Sequence, residues 1–241
     1  MAPPPPRPDT AVGELPLLPS LLCDAAANND VATIRQIVRA GGLSQRVDIP
    51  DYDGRTPLHL AVANGHFDTA QQLLAVGHDP NLLDRFGISP LWQAVLRGRK
   101  RIGLHLISCG AKLCKRPVEI GLHLCQLAKI GDCEALTVAV ALGCDPSARD
   151  YDHRTALHVA ADCGAVNVLK CLLRLQADMS LQDRWGRTPW ESAQQQQQQQ
   201  QSLQREQKVS GGAGGKFDEI RSLLTRQRWT TAVASLKREA R

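Results

Sequence analysis

Asp51-Tyr-Asp-Gly-Arg-Thr-Pro-Leu-His-Leu-Ala-Val-Ala-Asn-Gly65 is the stretch whose reading decides the fold. Thr56 can cap a helix with its hydroxyl while Pro57 takes the first helical position, where a missing N–H costs nothing. Leu58, Ala61 and Val62 then fall on one face, and Asn64-Gly65 breaks the helix. Beyond the break Ala70, Leu73 and Leu74 form a second apolar stripe at helical spacing. The stretch predicts two short antiparallel helices behind a turn.

The same arrangement recurs. Gly65, Gly98, Gly131 and Gly164 stand 33 residues apart. On that ruler Thr56-Pro-Leu-His-Leu-Ala61 aligns with Ser89-Pro-Leu-Trp-Gln-Ala94, Thr155-Ala-Leu-His-Val-Ala160 and Thr188-Pro-Trp-Glu-Ser-Ala193. Neither helix of a pair is long enough to be stable alone, so each pair must bury its stripes against the next, and stability becomes a sum over neighbours. The expected fold class is all-α, a curved solenoid of about six stacked helix-turn-helix repeats with β-turn tips.

The 33-residue period and the Thr-Pro-Leu-His string resemble the ankyrin repeat, over roughly Leu17 to Leu224. The resemblance implies that His59 and His158, at one repeat position, are structural hydrogen-bonding residues between neighbouring turns. It also implies that partners are recognised through the turn tips and the concave first helices.

Other registers show where the stack starts, weakens and ends. Leu21 to Ile34, then Ile37 and Val38, copies the helix pair with Asn29 in the glycine's place, an N-terminal capping repeat. Gly41 to Gly54 is three residues longer than Gly77 to Gly87, so the first connecting loop is enlarged. The third full repeat keeps Leu124, Leu127, Ala128, Gly131, Ala139 and Val140, but has Leu122-His123-Leu124-Cys125 in place of Thr-Pro-Leu-His and lacks the Asp-x-x-Gly turn. The last repeat looks truncated at Ala193, yet Gly215 to Leu224 aligns with Gly65 to Leu74, a second helix displaced by 18 residues. Between them lie the glutamine run Gln194 to Gln201 and Ser210-Gly-Gly-Ala-Gly-Gly215, read as a polar stretch and a flexible linker. Enlarging that turn costs roughly 2 kcal/mol, which a terminal repeat with one neighbour can bear. The run is a tolerated insertion, or else a partner-binding or aggregation-prone tract. The organisation is then a disordered Pro-rich leader (1–16), a repeat domain (17–224, with repeats near 17–50, 51–83, 84–116, 117–149, 150–182 and 183–224, the last split by the insertion 194–214) and a basic tail (225–241).

Composition narrows the function. Hydrophobic residues make up 43% of the 241 residues but aromatics only 4%, which suits a solenoid packed with Ala and Leu. Apolar stretches fall short of a membrane span, and the Pro-rich start does not read as a signal peptide. The eight cysteines, Cys23, Cys109, Cys114, Cys125, Cys133, Cys144, Cys163 and Cys171, contain no C-x-x-C pair and occupy different repeat positions. They read as free thiols of an intracellular protein, cytoplasmic or nuclear, rather than metal ligands. The net charge of +5 is partly local. Arg97, Arg99, Lys100 and Arg101 surround one turn, Lys112, Lys115 and Arg116 follow, and Arg226, Arg228, Lys237, Arg238 and Arg241 lie in the tail. Such clusters are a solvated face or a site for an acidic partner, a membrane surface or nucleic acid.

No catalytic residue is read here. His66, His78, His105, His123 and His153 come without a nucleophile motif or a glycine-rich phosphate loop, and no cofactor or metal is expected. A narrower resemblance concerns Leu17 to Ala27, the Arg97-Gly-Arg99 turn, Glu119 to Ala128 and Tyr151 to Ala160. These look like the ankyrin tail of the long, animal-type L-asparaginases, also called lysophospholipases. In that family the chemistry lies in a preceding domain built around Thr-Gly-Gly-Thr and Gly-Thr-Asp-Thr loops, and neither string occurs in this sequence. The Tyr-Asp-x-Arg-Thr-Ala-Leu-His string also recurs in ankyrin segments of glutaminases and plant potassium channels.

Binding remains, and the turns line up in columns. Asp51, Asp84, Asp150 and Asp183 share one column and are expected to bond backbone N–H groups. The adjacent columns are candidate partner contacts: Tyr52, Arg85, Tyr151 and Arg184, then Asp53, Phe86, Asp152 and Trp185, then Arg55, Ile88, Arg154 and Arg187. Phe86 and Trp185 either project or pack on the next turn. Trp92, in the histidine's place, is either packed or on the concave wall. The row should break where the damaged turn stands beside Gly131. Three functions compete: a non-enzymatic protein-interaction scaffold, a detached regulatory or oligomerising module of an asparaginase-like amidohydrolase that converts asparagine to aspartate, and a basic adaptor for nucleic acid or membrane phosphates.

Overall fold

The computed structural model describes residues 18–39, 48, 50–207, 219–220 and 222–224. The Pro-rich leader, most of the first connecting loop, the glycine-rich stretch and the basic tail lie outside the described residues. The chain divides into two compact units, one ending at Cys114 and one starting at Lys115.

The first unit contains α1 (Leu18–Ala27), α2 (Val31–Arg39), α3 (Pro57–Asn64), α4 (Phe67–Val76), α5 (Pro90–Leu96) and α6 (Lys100–Ser108). First helices stack in one layer, α1 on α3 and α3 on α5, and second helices in another, α2 on α4 and α4 on α6. Adjacent first helices run parallel: Asn64, the last residue of α3, and His66, just past it, each bond the carbonyl of Ala27 at the end of α1, at 3.0 Å. Leu58 and Leu91 in the first layer, and Leu73 and Leu106 in the second, are fully buried. Burying a leucine contributes about 1.5–3 kcal/mol. The 33-residue period thus places one leucine per layer per repeat into the shared core.

The ruler position is a left-handed residue that lets the chain reverse within one residue. Gly65 has φ +83°, and Asn29, which replaces it in the capping repeat, has φ +59°. Asparagine is the side chain that tolerates this region best after glycine. There it also accepts the Thr69 hydroxyl at 2.9 Å, tying the cap to α4.

The second unit contains α7 (Pro117–Ile130), α8 (Cys133–Ala141), α9 (Ala156–Asp162), α10 (Val166–Arg174) and α11 (Pro189–Gln207). α7 packs on α9 and α9 on α11, while α8 packs on α10. No strand occurs among the described residues. Within this unit Leu124 and Leu157 of the first helices, with Ala139 and Leu172 of the second, are fully buried.

Two features differ from the sequence reading. Helix α7 begins at Pro117, five residues before the register of Thr56, and reaches 14 residues. Pro117 occupies the first helical position, and Glu119 accepts the amide of Arg116 at 3.2 Å, so a helix start stands where the Asp-x-x-Gly turn would be. Helix α11 does not stop at Ala193 but runs through the glutamines to Gln207, over 19 residues. Glutamine is a good helix former and prolongs a helix already capped by Thr188 and Glu191. Past the undescribed stretch, Ile220 and Leu224 are buried and Glu219 takes the ammonium of Lys170 on α10 at 2.6 Å.

Candidate interaction surface

Each unit carries two turn tips of identical build. In every one the leading aspartate accepts two backbone N–H groups through the same oxygen. Asp51 takes Asp53 and Arg55 at 2.9 and 2.8 Å, Asp84 takes Phe86 and Ile88 at 2.9 and 2.8 Å, and Asp150 takes Asp152 and Arg154 at 2.9 and 2.8 Å. Asp183 takes Trp185 and Arg187, both at 2.9 Å. Charged acceptors on backbone amides are the strong class of hydrogen bond, and they fix the turn. Burial pushes the Asp183 carboxyl up, but these amides and the Arg187 guanidinium outweigh it and hold it below its ordinary range.

Successive tips are tied as well. The amide of Arg85 donates to the carbonyl of Asp53 at 3.1 Å, and that of Arg184 to Asp152 at 2.9 Å. The histidines add the second tie expected of them. The ring of His59 takes the amide of Thr56 on Nδ1 at 3.1 Å and bonds the carbonyl of Ile88, in the next tip, through Nε2 at 2.9 Å. His158 repeats this with Thr155 and Arg187, at 3.2 and 2.9 Å. In the third repeat the same position is Cys125, whose thiol donates to the carbonyl of Arg154 at 3.7 Å. Burial pushes that thiol up to about 12, so it stays protonated and keeps the donor role.

With the turns fixed, the aromatic side chains of the tips project. Tyr52 is 89% exposed, Phe86 61%, Tyr151 67% and Trp185 57%, so neither Phe86 nor Trp185 is packed away. Arginines brace two of the rings: Arg85 lies 5.0 Å from the Tyr52 centroid, and Arg184 and Arg187 lie 5.5 and 4.7 Å from that of Trp185. Ion pairs hold the arginines in turn. Asp53 contacts Arg55 at 3.4 Å and Arg85 at 3.7 Å, and Asp152 contacts Arg184 at 2.6 Å. Arg154 reaches back to Asp162 on α9.

Of the two placements open to Trp92 the structure takes the packed one: at 5% exposure it lies in the core at the repeat position held elsewhere by the histidine, and it leaves the set of candidate contacts. The basic cluster is exposed, but two members are engaged by the preceding repeat. Arg101 lies over the Phe67 ring at 3.8 Å, and Arg99 reaches the carbonyl of Asn64 at 3.5 Å. No cluster of three or more potential metal ligands occurs among the described residues, and no described helix is long and apolar enough to cross a membrane.

A family profile described as Ankyrin repeats (3 copies) matches residues 22–116 and 122–203, and the chain belongs to the ankyrin-repeat family. Such repeats bind protein partners and are typically non-catalytic. Among named proteins, the chain is 33% identical over 177 residues to an L-asparaginase of Dirofilaria immitis, a match covering 73% of this chain and 30% of that one. It is 41% identical over 166 residues to the potassium channel KOR1 of Oryza sativa subsp. japonica, covering 69% and 19%. It is 39% identical over 157 residues to a 60 kDa lysophospholipase of Mus musculus, covering 65% and 27%. The chain thus spans less than a third of the length of these relatives.

Proposed function

We propose that this chain is a non-enzymatic interaction module that recognises a protein through its turn tips, with Tyr52, Asp53, Arg55, Arg85 and Phe86 in one unit and Tyr151, Asp152, Arg154, Arg184, Trp185 and Arg187 in the other. The observation that carries it is the exposure of the tip aromatics. The whole chain has four Trp, two Tyr and three Phe, and four of these rings stand in solvent at the tips. Tyr, Trp and Arg dominate interface hot spots, and rings already braced by arginines lose little side-chain freedom on binding. Eight free cysteines suit a reducing, intracellular setting.

The triple variant Tyr52→Ala, Tyr151→Ala, Trp185→Ala tests this. Exposed positions alter stability by about 0.5 kcal/mol or less each, so the urea midpoint should hardly move while capture of the partner from a lysate is lost. Capture that survives with the fold intact removes the tips from consideration.

The similarity to an L-asparaginase and a lysophospholipase favours one further reading, in which the same tips face a catalytic domain supplied by a longer relative. An in-frame upstream coding stretch for Thr-Gly-Gly-Thr would favour that reading. Steep salt-dependent binding to heparin would instead favour a phosphate partner at Arg97, Arg99, Lys100 and Arg101.

A further inference from the structure

Two of the eight cysteines are brought together by helix stacking. Cys133 opens α8 and Cys171 lies within α10, the second helices of successive repeats, which pack on each other. The Cys171 thiol donates to the carbonyl of Cys133 at 3.6 Å and stands 3.6 Å from the hydroxyl of Thr137. That hydroxyl donates to the same carbonyl at 2.8 Å. Both line one open cleft of ≈ 470 Å³, together with Glu134, Thr137, Lys170 and Arg174.

The remaining thiols divide differently. Cys125 and Cys144 are buried and pushed up to about 12, and Cys23 to about 11, which leaves them inert at neutral pH. Cys109, Cys114 and Cys163 are exposed. Cys133 and Cys171 combine access to solvent with a sulfur neighbour.

We propose that Cys133 and Cys171 form a redox-reactive dithiol whose oxidant is a peroxide and whose oxidised form is a disulfide joining α8 to α10. Cys171 shares the cleft with Lys170 and Arg174, cations that stabilise the hydroxide departing from a peroxide, and so takes the attacking role, while Cys133 at the start of α8 resolves. The Cys171 thiolate attacks one oxygen of hydrogen peroxide. An S–O bond forms, the O–O bond breaks, and the departing hydroxide takes up the thiol proton as water. Cys171 is then a sulfenic acid, its sulfur oxidised by two electrons and the peroxide reduced by two. The Cys133 sulfur attacks the sulfenic sulfur. The S–S bond forms, the S–O bond breaks, and hydroxide leaves with the Cys133 proton as a second water. A dithiol reductant reverses the link by exchange.

The link spans 38 residues of chain. A loop of that length, closed in the unfolded state, raises the unfolding temperature by roughly 5–10 °C. Lys170, next to Cys171, holds Glu219, so the staple lies beside the anchor of the last helical residues.

The full chain is treated with dilute hydrogen peroxide while folded, the remaining thiols are alkylated, and a tryptic digest is mapped without reductant. The expected product joins the peptide containing Cys133 to the short peptide beginning at Cys171, lighter by two hydrogens and separated by dithiothreitol. Fragmentation places the bond on Cys133 rather than on Cys144 in the same peptide. The oxidised protein unfolds at the higher temperature. In Cys133→Ser, peroxide leaves Cys171 as a sulfenic acid that dimedone traps, and in Cys171→Ser neither the link nor a trapped sulfenic acid at Cys133 appears. Separate alkylation of Cys133 and Cys171 in the peroxide-treated wild type, or linkage of either to exposed Cys109 or Cys163 in preference, overturns the proposal.

Discussion

Gly121→Ala is expected to lower the stability of the second unit by about 2–4 kcal/mol, although alanine is the better helix former. Gly121 lies inside α7, where replacing glycine would by itself stabilise the helix by about 0.5–1 kcal/mol. A Cβ at this position, however, would sit 2.3 Å from the carbonyl carbon and oxygen of Arg149 and 2.8 Å from the amide nitrogen of Asp150. These are backbone atoms, so no side-chain rotation relieves the contact. They also lead directly into the turn that Asp150 holds through Asp152 and Arg154. Either α7 moves off α9 or the tip moves with its hydrogen bonds, and each costs more than the gain in helix propensity. Urea unfolding of the purified variant decides the sign. A midpoint that stays put or rises would mean the approach of α7 to the tip is not tight.

The same contact shows why part of this molecule was legible and part was not. The helix pairs, the aspartate column and the histidine ties follow from local chemistry repeated at one register. Asp51 and Asp183 bond amides two and four residues on, and a 33-residue ruler finds all such positions at once. Helix α7 escaped that ruler because Arg116-Pro-Val-Glu119 is a local helix-start signal competing with the repeat phase, and the local signal wins. Cys125 stands in the histidine column yet still donates to the next tip, a substitution of function that residue type alone does not announce. The side-chain placement of Trp92 depended on the volume available in the stack, and that of Phe86 and Trp185 on the direction each turn imposes. Cys133 and Cys171 lie two and seven residues past their ruler glycines. Only the stagger between α8 and α10 makes them neighbours, and a column alignment keeps them apart.

Lowering the pH from 7.5 to 5.5 is expected to remove roughly 2–5 kcal/mol of stability, spread over both units. His59 and His78 in the first unit, and His123 and His158 in the second, all have pKa values held below the ordinary 6.5, with desolvation by burial the largest cause in each. Charges around them act more weakly. Asp84 and Asp51 pull His59 up while Arg55 pulls it down, Asp48 at 2.8 Å pulls His78 up, and Asp183 and Asp162 oppose Arg154 at His158. Hydrogen bonding adds a geometric reason. Nδ1 of His59 and of His158 accepts a backbone amide, so a proton placed there would face another N–H. The unfolded chain therefore binds more protons than the folded one below about pH 6.5. Stability is complete above that value and drains as pH falls through it, at up to about 1.4 kcal/mol per pH unit for each histidine. Carboxylates act in a lower window. Asp183 is held below 3.8, so its contribution is in place throughout this range and is lost only in stronger acid. Urea midpoints at pH 7.5, 6.5 and 5.5 measure the effect. The double variant His59→Asn, His158→Asn should start from a lower midpoint at pH 7.5 and show a flatter profile, because two of the four titrating rings are gone. A wild-type profile that is level between pH 7.5 and 5.5, or a variant profile as steep as the wild type, would place the proton linkage elsewhere.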